Sequence, residues 1–206
     1  MGTITALTAQ KRNNDRINVF LDGAFAFGLA AVVAAHLKVG QSLTTEMITS
    51  LQEEDSVEKA REKALNLITY RPRSVAEVER KLRDKGFDES VTTRAIERLQ
   101  AVDLLDDMTF ARYWVEQRET FKPRSRLALQ QELREKGVAR SVIETVLSDI
   151  DETAAARRAA QKQLYRWSNL AEAEFREKLG GFLQRRGFHY EVVQEITEEL
   201  WAGTMD

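Results

Sequence analysis

The chain has 206 residues, 31% charged and 43% hydrophobic, with two prolines and no cysteine. That balance fits a folded, helix-rich chain long enough to bury a substantial core, and the absence of cysteine excludes disulfide staples, thiolate zinc sites and cysteine nucleophiles. A formal net charge of −2 provides no whole-molecule attraction to nucleic acid, so any contact with phosphate must come from local patches.

Near the start, Ile17, Val19 and Leu21 alternate with Asn18 and Phe20, Asp22-Gly23 follows, and Phe25 and Phe27 alternate with alanines. Asp-Gly between two alternating runs predicts a β-hairpin, because a type I′ turn needs positive φ at both central residues. The amphipathic run from Leu29 to Val39 predicts a helix closed by Gly40, and Thr44 or Thr45 is placed to cap another that continues through Leu51. Residues 1–55 therefore read as a small N-terminal β-hairpin with helices. Lys11, Arg12 and Arg16 ahead of the apolar run from Gly23 to Ala35 give the outline of a signal peptide, but Asp22 interrupts it and residues 17–21 scan as a strand. The run is also shorter than the roughly 20 residues of a bilayer span, so no membrane association is expected and the address expected is cytoplasmic.

From Ser56 onward there is no strand signal. Instead Leu82-Arg83-Asp84-Lys85-Gly86-Phe87 recurs as Leu133-Arg134-Glu135-Lys136-Gly137-Val138, and more loosely as Leu183-Gln184-Arg185-Arg186-Gly187-Phe188. The glycines stand 51 and 50 residues apart, which predicts a repeated supersecondary unit that buries its apolar face against its neighbours. Each copy holds three predicted helices, giving repeats over 56–105, 106–154 and 155–206.

In the first copy, helix one runs from about Val57 to Tyr70 and stops there because Pro72 disfavours helical geometry at Arg71. Ser74-Val75-Ala76-Glu77 is a capping box opening helix two, and Gly86 closes that helix in the left-handed region. Four and eight residues before each glycine the copies agree on Leu82 and Val78, Leu133 and Leu129, and Leu183 and Leu179. Five, nine and thirteen residues after it stand Val91, Ala95 and Leu99, then Val142, Val146 and Ile150, then Val192, Ile196 and Leu200, predicting one apolar face on helix three. Tyr70-Arg71-Pro72-Arg73-Ser74 answers Phe121-Lys122-Pro123-Arg124-Ser125. The third copy has no such loop and places Ala171 at the equivalent position, near Trp167, Ser168 and Asn169.

Catalysis finds little support. The two histidines, His36 and His189, lie far apart in sequence, and there is no His-x-x-x-His pair, phosphate-binding glycine loop or Gly-x-Ser-x-Gly elbow. No cofactor, no metal and no enzymatic activity are expected. Asp106-Asp107 has the composition of a Mg²⁺ site, but it directly precedes a helix holding Phe110 and Trp114, and capping that helix is the stronger reading. Cations cluster where two helices meet: residues 71–85 hold Arg71, Arg73, Arg80, Lys81, Arg83 and Lys85, and the second copy holds Arg118, Lys122, Arg124 and Arg126; of these Arg71, Arg73, Lys81, Lys85, Lys122, Arg124 and Arg126 are the candidate contacts. Set at helix N-termini, where free amides point outward, they read either as phosphate contacts or as a solvated face with i,i+4 partners such as Glu77 with Lys81. Phe110, Tyr113, Trp114, Phe121, Tyr165, Trp167, Phe175 and Phe182 read as core more readily than as base-stacking platforms.

Arg71-Pro72-Arg73-Ser74, Lys85-Gly86-Phe87, Leu105-Asp106-Asp107 with Phe110-Ala111, Trp114 through Arg118, and Glu132 through Val138 together resemble the bacterial RecX proteins, regulators of the RecA recombinase. The likeness runs from about Ala60 to Leu147, and the segments from Arg16 to Phe27 and Leu37 to Leu43 resemble the N-terminal extension of longer family members. The resemblance implies tandem three-helix units in an elongated, curved array, and a non-catalytic protein, expected to be monomeric, that binds the RecA filament on DNA, touches single-stranded or duplex DNA weakly, and restrains filament growth and strand exchange. The alternative is a helix-turn-helix transcriptional regulator, in which a helix three reads the major groove. Against it, the outward positions of helix three in the second copy are Glu144, Thr145 and Ser148, a poor set for phosphates.

Overall fold

The computed structural model describes residues 1–11, 13–167 and 169–203; Arg12 and Ser168, both named above, lie outside these ranges. The chain is mainly helical, with a small sheet followed by three three-helix repeats, and it divides into two compact units.

The first unit holds residues 1–71 and 78–105. Its strands β1 (Gly2–Gln10), β2 (Asn13–Leu21), β3 (Ala24–Ala30) and β4 (Ser42–Leu43) form an antiparallel sheet in the order β3-β2-β1-β4. The expected hairpin is present: Leu21 faces Ala24 across a two-residue turn with φ of 49° at Asp22 and 86° at Gly23. Strand β1 escaped the sequence reading because its pairing with β2 slips between Ile4 and Ala6, which breaks the two-residue alternation.

The helix expected over 29–39 is reduced to α1 (Ala31–Ala34). Leu29 belongs to β3, and beyond α1 the chain is drawn onto the edge of β1. There the Gly40 amide donates to the Ile4 carbonyl at 2.7 Å and the Ile4 amide to the Gln41 carbonyl at 2.8 Å. Ile4, Val19, Leu29, Val33 and Leu43 make the local core.

The two helices expected between Thr44 and Tyr70 are one, α2 (Thr45–Tyr70), capped by the Thr44 hydroxyl, which accepts from the Met47 amide. Asp55-Ser56 looks like a fresh helix start, yet it lies inside this helix. The Ser56 hydroxyl donates back to the Gln52 carbonyl at 2.9 Å. The buried Asp55 carboxylate accepts from the Ala30 amide at 2.6 Å and from Arg16 at 3.0 Å, with Lys59 at 2.8 Å. Burial raises the Asp55 pKa, but the bonds from Arg16, Lys59 and the Ala30 amide outweigh it and leave it lowered. Arg94 and Arg98 of α4 (Glu89–Gln100) both pair with Glu54 of α2.

The second unit holds residues 72–77 and 106–206. Residues 72–77 open α3 (Val75–Asp84); α5 (Asp107–Phe121), α6 (Arg126–Glu135) and α7 (Arg140–Leu147) form the second repeat. Helix α8 (Glu152–Gln161), a 3-10 turn at Leu164–Arg166, α9 (Glu172–Gln184) and α10 (Tyr190–Ala202) form the third. One apolar cluster gathers around Phe110, Leu129, Leu133, Ile143 and Leu147, another around Phe175, Leu179, Leu183, Val193 and Ile196.

All three marker glycines are left-handed helix stops, with φ of 83°, 78° and 90° at Gly86, Gly137 and Gly187. Each sits in a Schellman motif in which the next residue's amide returns to a carbonyl five residues back: Phe87 to Leu82, Val138 to Leu133, Phe188 to Leu183. The six predicted positions before the glycines are all buried. On helix three the apolar face is turned from the expected line. The residues six and ten after the glycine are buried in every copy, Thr92 and Ile96, Ile143 and Leu147, Val193 and Thr197; of the predicted positions Ala95, Leu99 and Ile196 are also buried, while Val91, Val142, Val146, Ile150, Val192 and Leu200 are half-buried.

Candidate interaction surface

The loops carrying the predicted basic site are built into the contact between successive repeats. Ser74 is fully buried; its hydroxyl accepts from the Glu77 amide at 3.1 Å, as the capping box requires, and donates to the Lys136 carbonyl at the end of α6 at 2.6 Å. Asp107, first residue of α5, accepts from the Val75 amide at 2.9 Å, and Lys136 reaches back to Glu77 at 2.8 Å. One repeat later the arrangement returns. Ser125 is buried and accepts from the Ala128 amide at 3.1 Å; its own amide donates to the Arg186 carbonyl at 3.1 Å; and Glu152, at the start of α8, accepts from the Arg126 amide at 2.7 Å.

The glycine completes each lock. A Cβ at Gly137 would lie 2.4 Å from the Ala76 Cβ, and one at Gly187 would lie 2.6 Å from the Ser125 hydroxyl, whereas one at Gly86 would meet nothing within 4 Å. The end of helix two in one copy thus rests against the start of helix two in the copy before it. That contact needs a residue without a side chain.

This geometry corrects the expectation of outward-pointing amides at these helix starts. The first and third amides of α3 and α6 already bond to Asp107 and Ser74, and to Glu152 and Ser125. The acidic pair divides its work. Asp106 caps its own helix at the Thr109 amide, 2.7 Å away, which lowers its pKa, while burial raises that of Asp107 and the neighbouring Asp106 charge adds to the rise.

The seven predicted cations fall into two groups. Arg71 and Arg73 are half-buried and partnered. Arg124 is half-buried with its Nε 3.0 Å from a Glu132 oxygen, an ion pair by distance, although the N–H is not aimed at that oxygen. Glu132 also accepts from Trp114 Nε1 and Arg118 Nε, each at 2.7 Å, and the Trp114 ring lies under Arg118 at 4.5 Å and near Lys136 at 4.9 Å. Lys81, Lys85, Lys122 and Arg126 are exposed, and of these only Lys81 has a side-chain ion pair among the described residues, a long one of 3.5 Å to Asp84. Of the seven, the cations available to a partner are therefore these four.

The aromatic residues also divide. Phe110 and Phe175 are buried as expected, but Phe121 is 70% and Tyr165 74% exposed, which overturns the core reading for those two. Tyr70, at the end of α2, is 87% exposed. Their position was the available signal: each ends, or closely follows, the first helix of its repeat. His189 stands at the N-cap position of α10 without a side-chain cap bond. Among the described residues no helix is long and apolar enough to cross a membrane.

Three-helix units joined through capped, glycine-marked contacts define a helical-repeat protein. The profile of the Regulatory protein RecX N-terminal domain matches residues 2–44, and those of the first, second and third RecX three-helix domains match 60–99, 106–147 and 150–197. The chain is 34% identical to the Regulatory protein RecX of Clostridium botulinum (strain Eklund 17B / Type B), over 97% of this chain and 96% of that one. It is 32% identical to the Regulatory protein RecX of Bacillus subtilis (strain 168), over 97% of this chain and 78% of that one. A crystal structure of regulatory protein RecX superposes with a TM-score of 0.80 at 26% identity, covering 96% of this chain and all of the other, and that of RecX from Lactobacillus salivarius with 0.62 at 25%, covering 71% and 97%. The chain belongs to the RecX family of regulatory proteins.

Proposed function

We propose that this protein is a non-catalytic modulator of the RecA recombinase that binds the RecA–DNA filament in the cytoplasm and restrains filament growth and strand exchange. Family membership over nearly the whole chain supports the reading, and the single structural observation that carries it is the chain of locked repeats. Such a construction repeats its exposed groups along the chain, which suits a partner that is itself periodic. Lys81, Lys85, Lys122 and Arg126 supply the contacts to phosphate or acidic filament surface, and Arg71, Arg73 and Arg124 shape the loops that carry them. The protein acts as a monomer and competes for a site on the filament. The regulator alternative has less support, because the one arginine of α7, Arg140, is paired with Glu144 at 2.6 Å. Titrating the protein into RecA turning over ATP on single-stranded DNA tests the proposal: the rate falls with added protein, and a rate that does not respond removes it.

A further inference from the structure

Of the exposed aromatic rings of the second unit, Phe121, Tyr165 and Tyr190, the first two lie on chain ends that adjoin. Lys162, at the end of α8, donates its ammonium to the Thr120 carbonyl at the end of α5, and Arg158 pairs with Glu119 at 2.9 Å. Phe121 follows Thr120 directly, and Tyr165 lies in the 3-10 turn that follows Lys162. Each ring is followed by an exposed cation, Lys122 or Arg166, and Glu119, two residues before Phe121, is held by Arg158. The first repeat repeats the sequence pattern with the exposed Tyr70 ahead of Arg71.

A single exposed aromatic residue needs no explanation. Two on adjoining chain ends, each followed by an exposed cation, form a surface of flat apolar faces and positive charges. The ligand with the matching alternation is a single-stranded nucleic acid, whose unpaired bases offer π-faces and whose backbone offers phosphates. A duplex hides those faces in its stack.

We propose that the adjoining ends of α5 and α8 bind single-stranded nucleic acid, with bases stacked on Phe121 and Tyr165 and phosphates on Lys122 and Arg166. The site rests on the preceding reading only in placing nucleic acid within reach of the protein, and its test contains no RecA, so either can fail without the other.

Fluorescence anisotropy of the full-length protein with labelled oligothymidylate, an abasic oligonucleotide of equal length and the corresponding duplex separates bases from charge. Stacking on both rings makes oligothymidylate bind at least about thirtyfold tighter than the abasic strand. The Phe121→Ala, Tyr165→Ala double variant loses that preference and keeps its affinity for the abasic strand. The Phe121→Trp, Tyr165→Trp variant retains the preference, and its added indole fluorescence is quenched on binding. Equal affinity for the base-bearing and abasic strands, a preference that survives in the alanine variant or disappears in the tryptophan variant, or a duplex bound as tightly as the single strand would each overturn the proposal.

Discussion

Replacing Gly137 with alanine separates the two tasks assigned to the marker glycines. At Gly86 the change imposes only a left-handed backbone on a residue with a Cβ, which costs about 1–2 kcal/mol, because φ is 83° and nothing lies within 4 Å. At Gly137 φ is 78°, so the same cost applies, and the new Cβ also falls 2.4 Å from the Ala76 Cβ. Carbon atoms rest at about 3.5–4.0 Å, so the start of α3 or the end of α6 has to retreat by more than an ångström. That retreat stretches the 2.6 Å bond from Ser74 to the Lys136 carbonyl and adds about 1–3 kcal/mol of overpacking. Gly137→Ala should therefore destabilise by about 2–5 kcal/mol against about 1–2 for Gly86→Ala, a difference that urea denaturation followed by circular dichroism resolves easily. Adding Ala76→Gly to Gly137→Ala should recover the steric part and leave the backbone part, a coupling with no counterpart at Gly86. Equal losses at Gly86 and Gly137, or no recovery with Ala76→Gly, would refute the claim that the glycine is a contact as well as a helix stop.

Ser74→Ala removes a cap and leaves the Lys136 carbonyl without its donor, for a loss of about 2–3 kcal/mol by thermal melting; Ser125→Ala, which removes the cap on Ala128, should lose about 1 kcal/mol. Asp55 and Asp107 give opposite pH dependence. The Asp55 pKa is lowered by folding, so its stabilisation is full above the ordinary value of 3.8 and is lost as pH falls through the folded value; Asp55→Asn should cost about 3 kcal/mol at neutral pH and flatten the acid limb of the stability curve. The Asp107 pKa is raised, so its contribution is present below 3.8 and is lost as pH rises through the folded value. Asp107→Asn, whose amide oxygen still accepts from Val75, should abolish that decline, as urea midpoints across the acid range will show. Changing Lys81, Lys85, Lys122 and Arg126 together to alanine should leave the melting temperature nearly unchanged and reduce the salt dependence of filament binding, whereas Arg124→Ala should lower the melting temperature because it leaves part of the Glu132 network unpaired.

The repeat was legible because its strongest signals are local. A glycine stop, two apolar residues at fixed distances before it and a serine cap can all be read within one helix, and Leu82, Leu133 and Leu183 are buried where their spacing placed them. The turned face of helix three was hidden by Thr92 and Thr197, polar residues at buried positions that a hydrophobic count passes over. The unbroken α2 was hidden because Asp55 takes its partners from β2 and β3, far away in sequence, so a pair of residues that usually starts a helix sits inside one. For the candidate site, the sequence showed where the cations cluster but not which were already engaged. Arg124 and Lys122 are two residues apart, yet one lies beside Glu132 and the other is exposed, a distinction set by the neighbouring helix.

The distribution of the Pro-Arg-Ser loop follows from the direction of the lock. In each contact the start of helix two in one copy receives a carboxylate and a helix end from the copy that follows, as Asp107 and Lys136 do for residues 74–77, and Glu152 and Arg186 for residues 125–128. Helix two of the third copy, α9, has Ala171 at its N-cap position without a side-chain cap bond and receives no such carboxylate among the described residues. Its loop is released from the serine, whose side chain or amide bonds the following copy in the first two repeats. The same direction explains why the glycine of the first copy meets open space while the other two are crowded. Stability in such a string depends on nearest-neighbour contacts, and here Ser74, Asp107, Lys136 and Glu152 are committed to those contacts. What remains for a partner is the smaller set of exposed cations and rings at the ends of the first helices, and the search for function is best directed there.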